Sequence, residues 1–462
     1  MSRLTLFCTL VLVLALSVPA YAAVQNVKVS GDLTFRAIYR DQYDLKDNDD
    51  ANSEVDEYLT QQLGINVDAD LTDNVSTQVR IVNERDWEVA NDTTNLDLGV
   101  DLANVTLKEL FYSPLTVIVG RQDVVYGRGF IVGSALLTGF ADPEGSLGAN
   151  EYTDYTAFDA IRAILDYDPW TIDMIWAKID ENGLASEDDI DLYGINVGYQ
   201  FEDYNAEAEL YLFVKEDRST IVNGGNGDNG EADPATNTVY TLGTRGSMEP
   251  IENLSIWGEV AFQFGDYSIA ADVDDAGSEY VDRDRQAWAL DIGAEYNWAD
   301  TNWTPSLGGE YIYFSGEAYD ATNGAAGCGD YEGWDPMYRG SFTSAIRDFQ
   351  TTLYATNDPN DQAATTNQHE FSLFGSIRPI DDLALTARWN YYRADEAYFT
   401  DRDEEIGHEI DLQAIYDYTE DVQVGLLAAW FIPGDYYDGE TTEANKGNDT
   451  AFDLVGTMKV TF

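Results

Sequence analysis

The feature that most restricts the fold is a two-residue rhythm that runs along nearly the whole chain, in segments separated alternately by short and long connectors. In the first segment, 27–40, Val27, Val29, Gly31, Leu33, Phe35, Ala37 and Tyr39 fall on one side. Lys28, Ser30, Asp32, Thr34, Arg36 and Arg40 fall on the other. Successive side chains of an extended chain point to opposite faces, so this is a strand with one apolar and one charged face. Similar runs follow at roughly 57–71, 75–87, 103–113, 115–127, 157–168, 170–181, 189–201, 204–217, 238–248, 254–266, 286–298, 304–316, 368–378, 382–395, 407–419, 422–434 and 451–462, for a total of 18. Short connectors such as 72–74, 113–114, 168–169 and 419–421 alternate with long ones such as 41–56, 128–156 and 317–367. An even number of antiparallel strands with turns at one rim and loops at the other predicts an all-β, up-and-down transmembrane barrel with short periplasmic turns and long extracellular loops.

Alternation alone does not separate a barrel in lipid from a sandwich in water. Sandwiches use about 7 to 9 strands, and a longer open sheet leaves unpaired edges, whereas closure removes them. Aromatic clusters near the run ends, such as Trp389-Tyr391-Tyr392, Tyr416-Tyr418 and Trp430-Phe431, suit a lipid–water boundary. The chain ends in a strand whose apolar row is Phe452, Leu454, Gly456, Met458, Val460 and Phe462. A terminal aromatic of this kind resembles the signal read by the barrel-assembly machinery. Residues 1–22 read as a signal peptide, with Arg3, an apolar stretch from Leu4 to Val18, and the small-x-small site Ala20-Tyr21-Ala22. The expected organisation is therefore a signal peptide at 1–22, followed by one outer-membrane barrel domain at 23–462. Cys8 leaves with the signal and Cys328 stands alone, which excludes an intrachain disulfide in the mature chain.

With the apolar row facing lipid, the charged row faces the inside. It carries Arg36, Arg80, Arg121, Arg162, Arg245 and Arg388, and carboxylates including Glu295, Glu310 and Asp411, all expected to line the pore. Charges at this density are too costly in a dry core, whereas a wet lumen keeps them solvated and lets them pair across strands. Overall, 85 Asp and Glu stand against 25 Lys and Arg, a net charge of -60 that opposes nucleic-acid binding. The same excess in the inward row favours cations or neutral polar solutes, unless the bases are concentrated at a constriction. The function expected is passive passage of polar or charged solutes, with outer-membrane lipid and lipopolysaccharide as surroundings. The alternative is a structural or adhesive barrel with a blocked lumen.

The loops add two readings. Asp47, Asp49 and Asp50 in 41–56 are candidate ligands for calcium or magnesium, since hard cations favour grouped carboxylates; the other reading is a solvated acidic rim. Loop 317–367 is long enough to fold inward as a plug, and its Tyr331 to Tyr338 core suggests local order. There are only two His residues, His369 and His408, and no G-x-S-x-G, H-E-x-x-H or phosphate-binding glycine loop, so no catalytic role is expected.

Gly120-Arg121-Gln122-Asp123 with Tyr126-Gly127-Arg128 resembles the G-R-Q...Y-G segment of bacterial alginate-export outer-membrane proteins. Tyr331 to Tyr338 resembles their loop with an aspartate-proline step. Ile406-Gly407-His408-Glu409-Ile410-Asp411-Leu412, followed by Phe431-Ile432-Pro433-Gly434, is similar to the family's I-G-x-E-x-D-L strand and F-x-P-G loop. The resemblance implies a monomeric barrel of 18 strands and an arginine-rich conduit for export of an acidic polysaccharide. It points to Arg121, with Arg162 and Arg388, as solute-facing. The many inward carboxylates depart from that pattern, because they would repel a polyuronate.

Overall fold

The computed structural model describes residues 26–43, 45, 55–87, 98–135, 152–181, 189–218, 237–271, 279–317, 329–341, 344–347, 366–396, 403–437 and 449–462. The signal segment and the acidic loop residues Asp47, Asp49 and Asp50 lie outside these described residues.

The first six strands are β1 (Asn26–Asp41), β2 (Val55–Thr72), β3 (Val75–Asp86), β4 (Leu98–Lys108), β5 (Leu115–Gln122) and β6 (Phe158–Asp166). Next come β7 (Trp170–Asp180), β8 (Ile190–Gln200), β9 (Glu207–Asp217), β10 (Asn237–Ile251), β11 (Leu254–Ala271) and β12 (Glu279–Asn297). The last six are β13 (Ser306–Phe314), β14 (Gln368–Ile380), β15 (Leu383–Ala394), β16 (Glu405–Thr419), β17 (Val422–Pro433) and β18 (Ala451–Thr461). Each pairs antiparallel with its neighbours in sequence, and β1 pairs with both β2 and β18, so the sheet closes without an edge.

Closure makes a seam between the first and last strands. Arg40 stands opposite Asp453 in register, with Nε 3.7 Å from Oδ1, and the two side chains are 1% and 0% exposed. The Tyr43 hydroxyl donates to Asp453 Oδ2 at 3.2 Å, and its ring centre lies 4.6 Å from the Arg40 guanidinium. A buried ion pair holds only when further polar and aromatic partners accompany it, and here they do.

The alternation resolves into two unlike surfaces. Ile65, Ile161, Met174, Ile195, Leu242, Val260, Ile292, Leu373, Leu412, Leu426 and Met458 are exposed on the outer row. Such a wide apolar surface is stable only against hydrocarbon. Aromatics flank it at the turn end, where Trp170, Tyr199 and Phe201 pack with ring centres 4.7 Å apart, and at the loop end, where Trp430 packs on Phe452 at 5.3 Å.

Several boundaries depart from the sequence expectation: β11 runs on to Ala271 rather than 266 and β12 starts at Glu279 rather than 286, and the departures at β4 and β5 have a local cause. β4 begins at Leu98 rather than 103 and ends at Lys108. The pairing slips between Arg80 and Ile81, which leaves Asp101 as an extra residue, and both Asp101 and Leu102 are buried. A bulge puts two successive side chains on one face and so erases the two-residue rhythm on which the boundary was read. β5 stops at Gln122 rather than 127, because the chain there leaves the wall and enters the lumen.

Candidate functional site

The inward row is not uniformly charged. On β6 to β13, near the loop end, it becomes small or apolar: Ala160, Ala177, Leu192, Phe213, Val239, Ala261, Ala287, Ala289 and Phe314 are all buried. Residues 123–135, directly after β5, fold onto this patch and bury Val124, Tyr126, Phe130, Ile131 and Val132. Residues 329–341, after β13, join them through Trp334, Met337 and Tyr338. The two segments hydrogen-bond as a short parallel pair: Tyr338 N donates to Ile131 O at 3.0 Å, Gly133 N to Tyr338 O at 2.7 Å and Gly340 N to Gly129 O at 2.9 Å. Side chains at Gly133 and Gly340 would collide with the opposite backbone, so this approach needs glycine at both.

The second segment continues across the barrel. Tyr338 packs against Phe158 of β6 with ring centres 5.8 Å apart, while Ile346 is buried against Tyr392, Ala429, Phe431 and Ala451 of β15, β17 and β18. The pieces 329–341 and 344–347 thus form a strap that reaches opposite walls. Its first anchor is Lys215 on β9, whose Nζ donates to Asp335 Oδ1 and Oδ2 at 2.9 and 2.8 Å. Gln263 on β11 donates to the Asp335 carbonyl and accepts from its N–H, both at 2.8 Å, and Arg285 Nη1 donates to Gly333 O at 2.7 Å. Burial alone would raise the Asp335 carboxyl, but the Lys215 and Arg285 charges outweigh it and hold the group below its ordinary range. The far anchor is Glu409 on β16, which accepts the backbone N–H groups of Ala345, Ile346 and Arg347 at 2.7, 2.8 and 2.9 Å.

The charged residues named from the sequence fall as follows. Arg36 donates to Gln62 and lies 4.5 Å over the Tyr152 ring. Arg80 is shared by three carboxylates: Nη1 meets Asp32 at 2.9 Å, Nη2 Asp154 at 2.7 Å and Nε Asp101 at 3.3 Å. Arg162 donates through Nε to both oxygens of Asp173, at 3.0 and 2.8 Å. Arg245 reaches Glu207 and Glu209, each at 2.6 Å. Arg388 sits 4.5 Å over Phe374 and 3.7 Å from Glu310, and stands opposite Asp411 in register. Glu295 stands opposite Ser255 and Gly308, near the turn end. Arg121 lies in the other row. Its cross-strand neighbours are Ala103 and Asp159, in line with the exposed Val119 and Ile161, and its Nη1 is 3.7 Å from Asp159 Oδ2.

One residue absent from that set also enters the lumen. Arg128, carried inward by the 123–135 segment, stacks 4.2 Å over Trp257. Its Nη2 meets Glu310 Oε1 at 2.9 Å, yet its side chain is still 43% exposed. Glu310 therefore joins two guanidinium groups, from Arg128 and Arg388, brought from a lumenal segment and the wall. The signal in the sequence was the Tyr126-Gly127-Arg128 step of the resembling motif. Lys215 carried no such mark, because its partner Asp335 is 120 positions away.

Opposite this group, β1 to β4, Asp123 and the segment 152–156 line an open pocket of about 440 Å³ with Ser30, Asn66, Asp68, Gln78, Arg80, Asp101, Leu102, Thr153, Asp154 and Thr156. Among the described residues no group of His, Cys, Asp and Glu is arranged to hold a metal ion.

Solved structures share the fold. OpdQ of Pseudomonas aeruginosa aligns over 95% of this chain and 98% of its own, at 12% identity and a TM-score of 0.53. A BenF-like porin from Pseudomonas fluorescens Pf-5 aligns over 95% and 100%, at 11% identity and a TM-score of 0.53. OccK2 (OpdF) of Pseudomonas aeruginosa, solved in complex with glucuronate, aligns over 95% and 99%, at 10% identity and a TM-score of 0.52. No curated protein sequence matches the chain. The profile of the family described as alginate export matches residues 31–449, nearly the full length. An edgeless ring of 18 strands, apolar outside and crossed inside by a charged strap, is thus a bacterial outer-membrane transport barrel, and the chain belongs to the alginate-export family.

Proposed function

We propose that the barrel is a passive channel through which polar and charged solutes move between paired charges on the wall and the strap, with export of an acidic polysaccharide as its narrower form. The observation that carries this reading is the exposed Arg128 guanidinium stacked on Trp257 beside Glu310 and Arg388. The Trp257 ring holds the guanidinium plane in place, and its exposed edge offers a fixed planar donor to a carboxylate. Arg36, Arg80, Arg162, Arg245, Arg388, Glu295, Glu310 and Asp411 make up the charged wall, where selection is electrostatic and no bond is made or broken. Purified protein in planar bilayers tests it. Discrete conductance steps that are reduced by glucuronate or an oligouronate support the reading, and silence at every applied potential refutes it.

A second reading has its own observation. The apolar contacts of 123–135, 329–341 and 344–347 fill part of the lumen, as expected of a structural or adhesive barrel that carries no solute. Acidic loops binding calcium would belong to that reading. Calcium-dependent adhesion with no conductance would favour it.

A further inference from the structure

The lumenal cavity at Arg80 is out of balance. Four carboxylates, Asp68, Asp101, Asp123 and Asp154, line it beside one lining base, Arg80, while Lys28 stands opposite Asp68 in register and the Arg121 charge also reaches Asp101. The Arg80 guanidinium is already divided among Asp32, Asp101 and Asp154. Asp101 is 3% exposed, and its Oδ1 has no hydrogen-bond donor, although burying an unmatched carboxylate oxygen is costly. The bulge in β4 is what turns this side chain inward. Asp123 and Asp154 lie close enough to Asp101 to repel it. The remaining wall offers hydroxyl and amide groups, from Ser30, Thr153, Thr156, Asn66 and Gln78. A volume of about 440 Å³ lies within the range of small-molecule sites.

From this geometry we infer that the cavity is a binding station for a hydroxylated organic ammonium solute, with the ammonium between Asp101 and Asp123 and its hydroxyls on the Ser, Thr, Asn and Gln wall. A small metal ion fits less well, since the carboxylates are not gathered as a metal-holding group. An ammonium on a carbon frame donates in several directions and reaches separated acceptors. The inference rests on the reading of the lumen as a solute path and names a class of solute for one part of it.

Isothermal titration of the folded protein in detergent is the test, because it needs no current. Glucosamine is the probe, with glucose, glucuronate and magnesium as comparators. Glucosamine should bind with one site and about tenfold or more tighter than glucose, as expected of a charged hydrogen bond. The Asp68→Asn/Asp123→Asn variant, which leaves the Arg80–Asp101 pair intact, should lose that difference. Asp101→Asn should do the same if its electrophoretic shift on heating shows a folded barrel; if it does not fold, the double variant decides. Equal affinity for glucosamine and glucose, binding unchanged in the double variant, or competition by magnesium at equimolar levels would overturn the proposal. Binding without conductance would preserve this site and refute the channel, and conductance without binding would do the reverse.

Discussion

Replacing Lys215 by Met leaves Asp335 as a charge inside the barrel without its bidentate partner. Lys215 and Asp335 are 10% and 13% exposed, so solvent screens the pair little. Removing one member of such a pair costs about 3–5 kcal/mol, most of it the penalty of the charge left behind. The loss falls on the strap rather than on the wall, because the strand ladders do not pass through Asp335. Hydrogen exchange at Trp334, Tyr338 and Gly340, whose N–H groups bond to Ser315, Ile131 and Gly129, should therefore accelerate by roughly two to four powers of ten. Exchange in β9 and β11 should change little. The double variant Lys215→Met/Asp335→Leu removes both charges and should recover most of the protection. A lone Lys215→Met with native exchange, or a double variant as open as the single one, would show that the pair does not hold the strap. The pH dependence has a definite sign. The folded Asp335 carboxyl lies below its unfolded value near 3.9, so its contribution is complete above about pH 4 and disappears as the pH falls through the lower folded value.

Glu409→Ala removes the acceptor of three backbone N–H groups and should free the 344–347 end of the strap, seen as larger and noisier single-channel currents; unchanged currents would place that end outside the path. Gly340→Val should separate the two lumenal segments through collision with Gly133 while the wall still folds, so heat-dependent mobility on gels stays native as strap exchange rises. Arg128→Ala should shift the reversal potential toward cations, and Arg121→Ala much less, because register puts Arg121 in the row of Val119 and Ile161. The opposite order of effects would contradict that placement.

The ring was legible because each strand writes its two environments into alternate residues, and the expected count of 18 matches the observed one. Legibility failed where that contrast disappears. In β5, Thr116 and Ile118 on one row are as branched and bulky as Val117 and Val119 on the other, so the side taken by Arg121 could not be read. At β4 the extra residue Asp101 broke the period. Residues 123–127 kept an alternating pattern while leaving the wall, since a segment packed on the inner surface also buries every second side chain. The 317–367 loop is long enough to fold inward and its Tyr331–Tyr338 core suggested local order; which loop does so was not legible, and of this one 329–341 lies in the lumen. The motif at 406–412 has a physical basis that sequence could not supply: Gly407 takes φ +139 where a Cβ would strike Ile432 O, Glu409 holds the strap, and Asp411 faces Arg388.

The Arg40–Asp453 seam couples a pair of charges to the closing of the ring. Until β18 docks on β1, the inward-facing guanidinium lacks its counter-charge and the wall that shields it, and burying it unpaired is costly. Pairing of these two strands thus acts as a latch that penalises a misregistered or half-zipped closure.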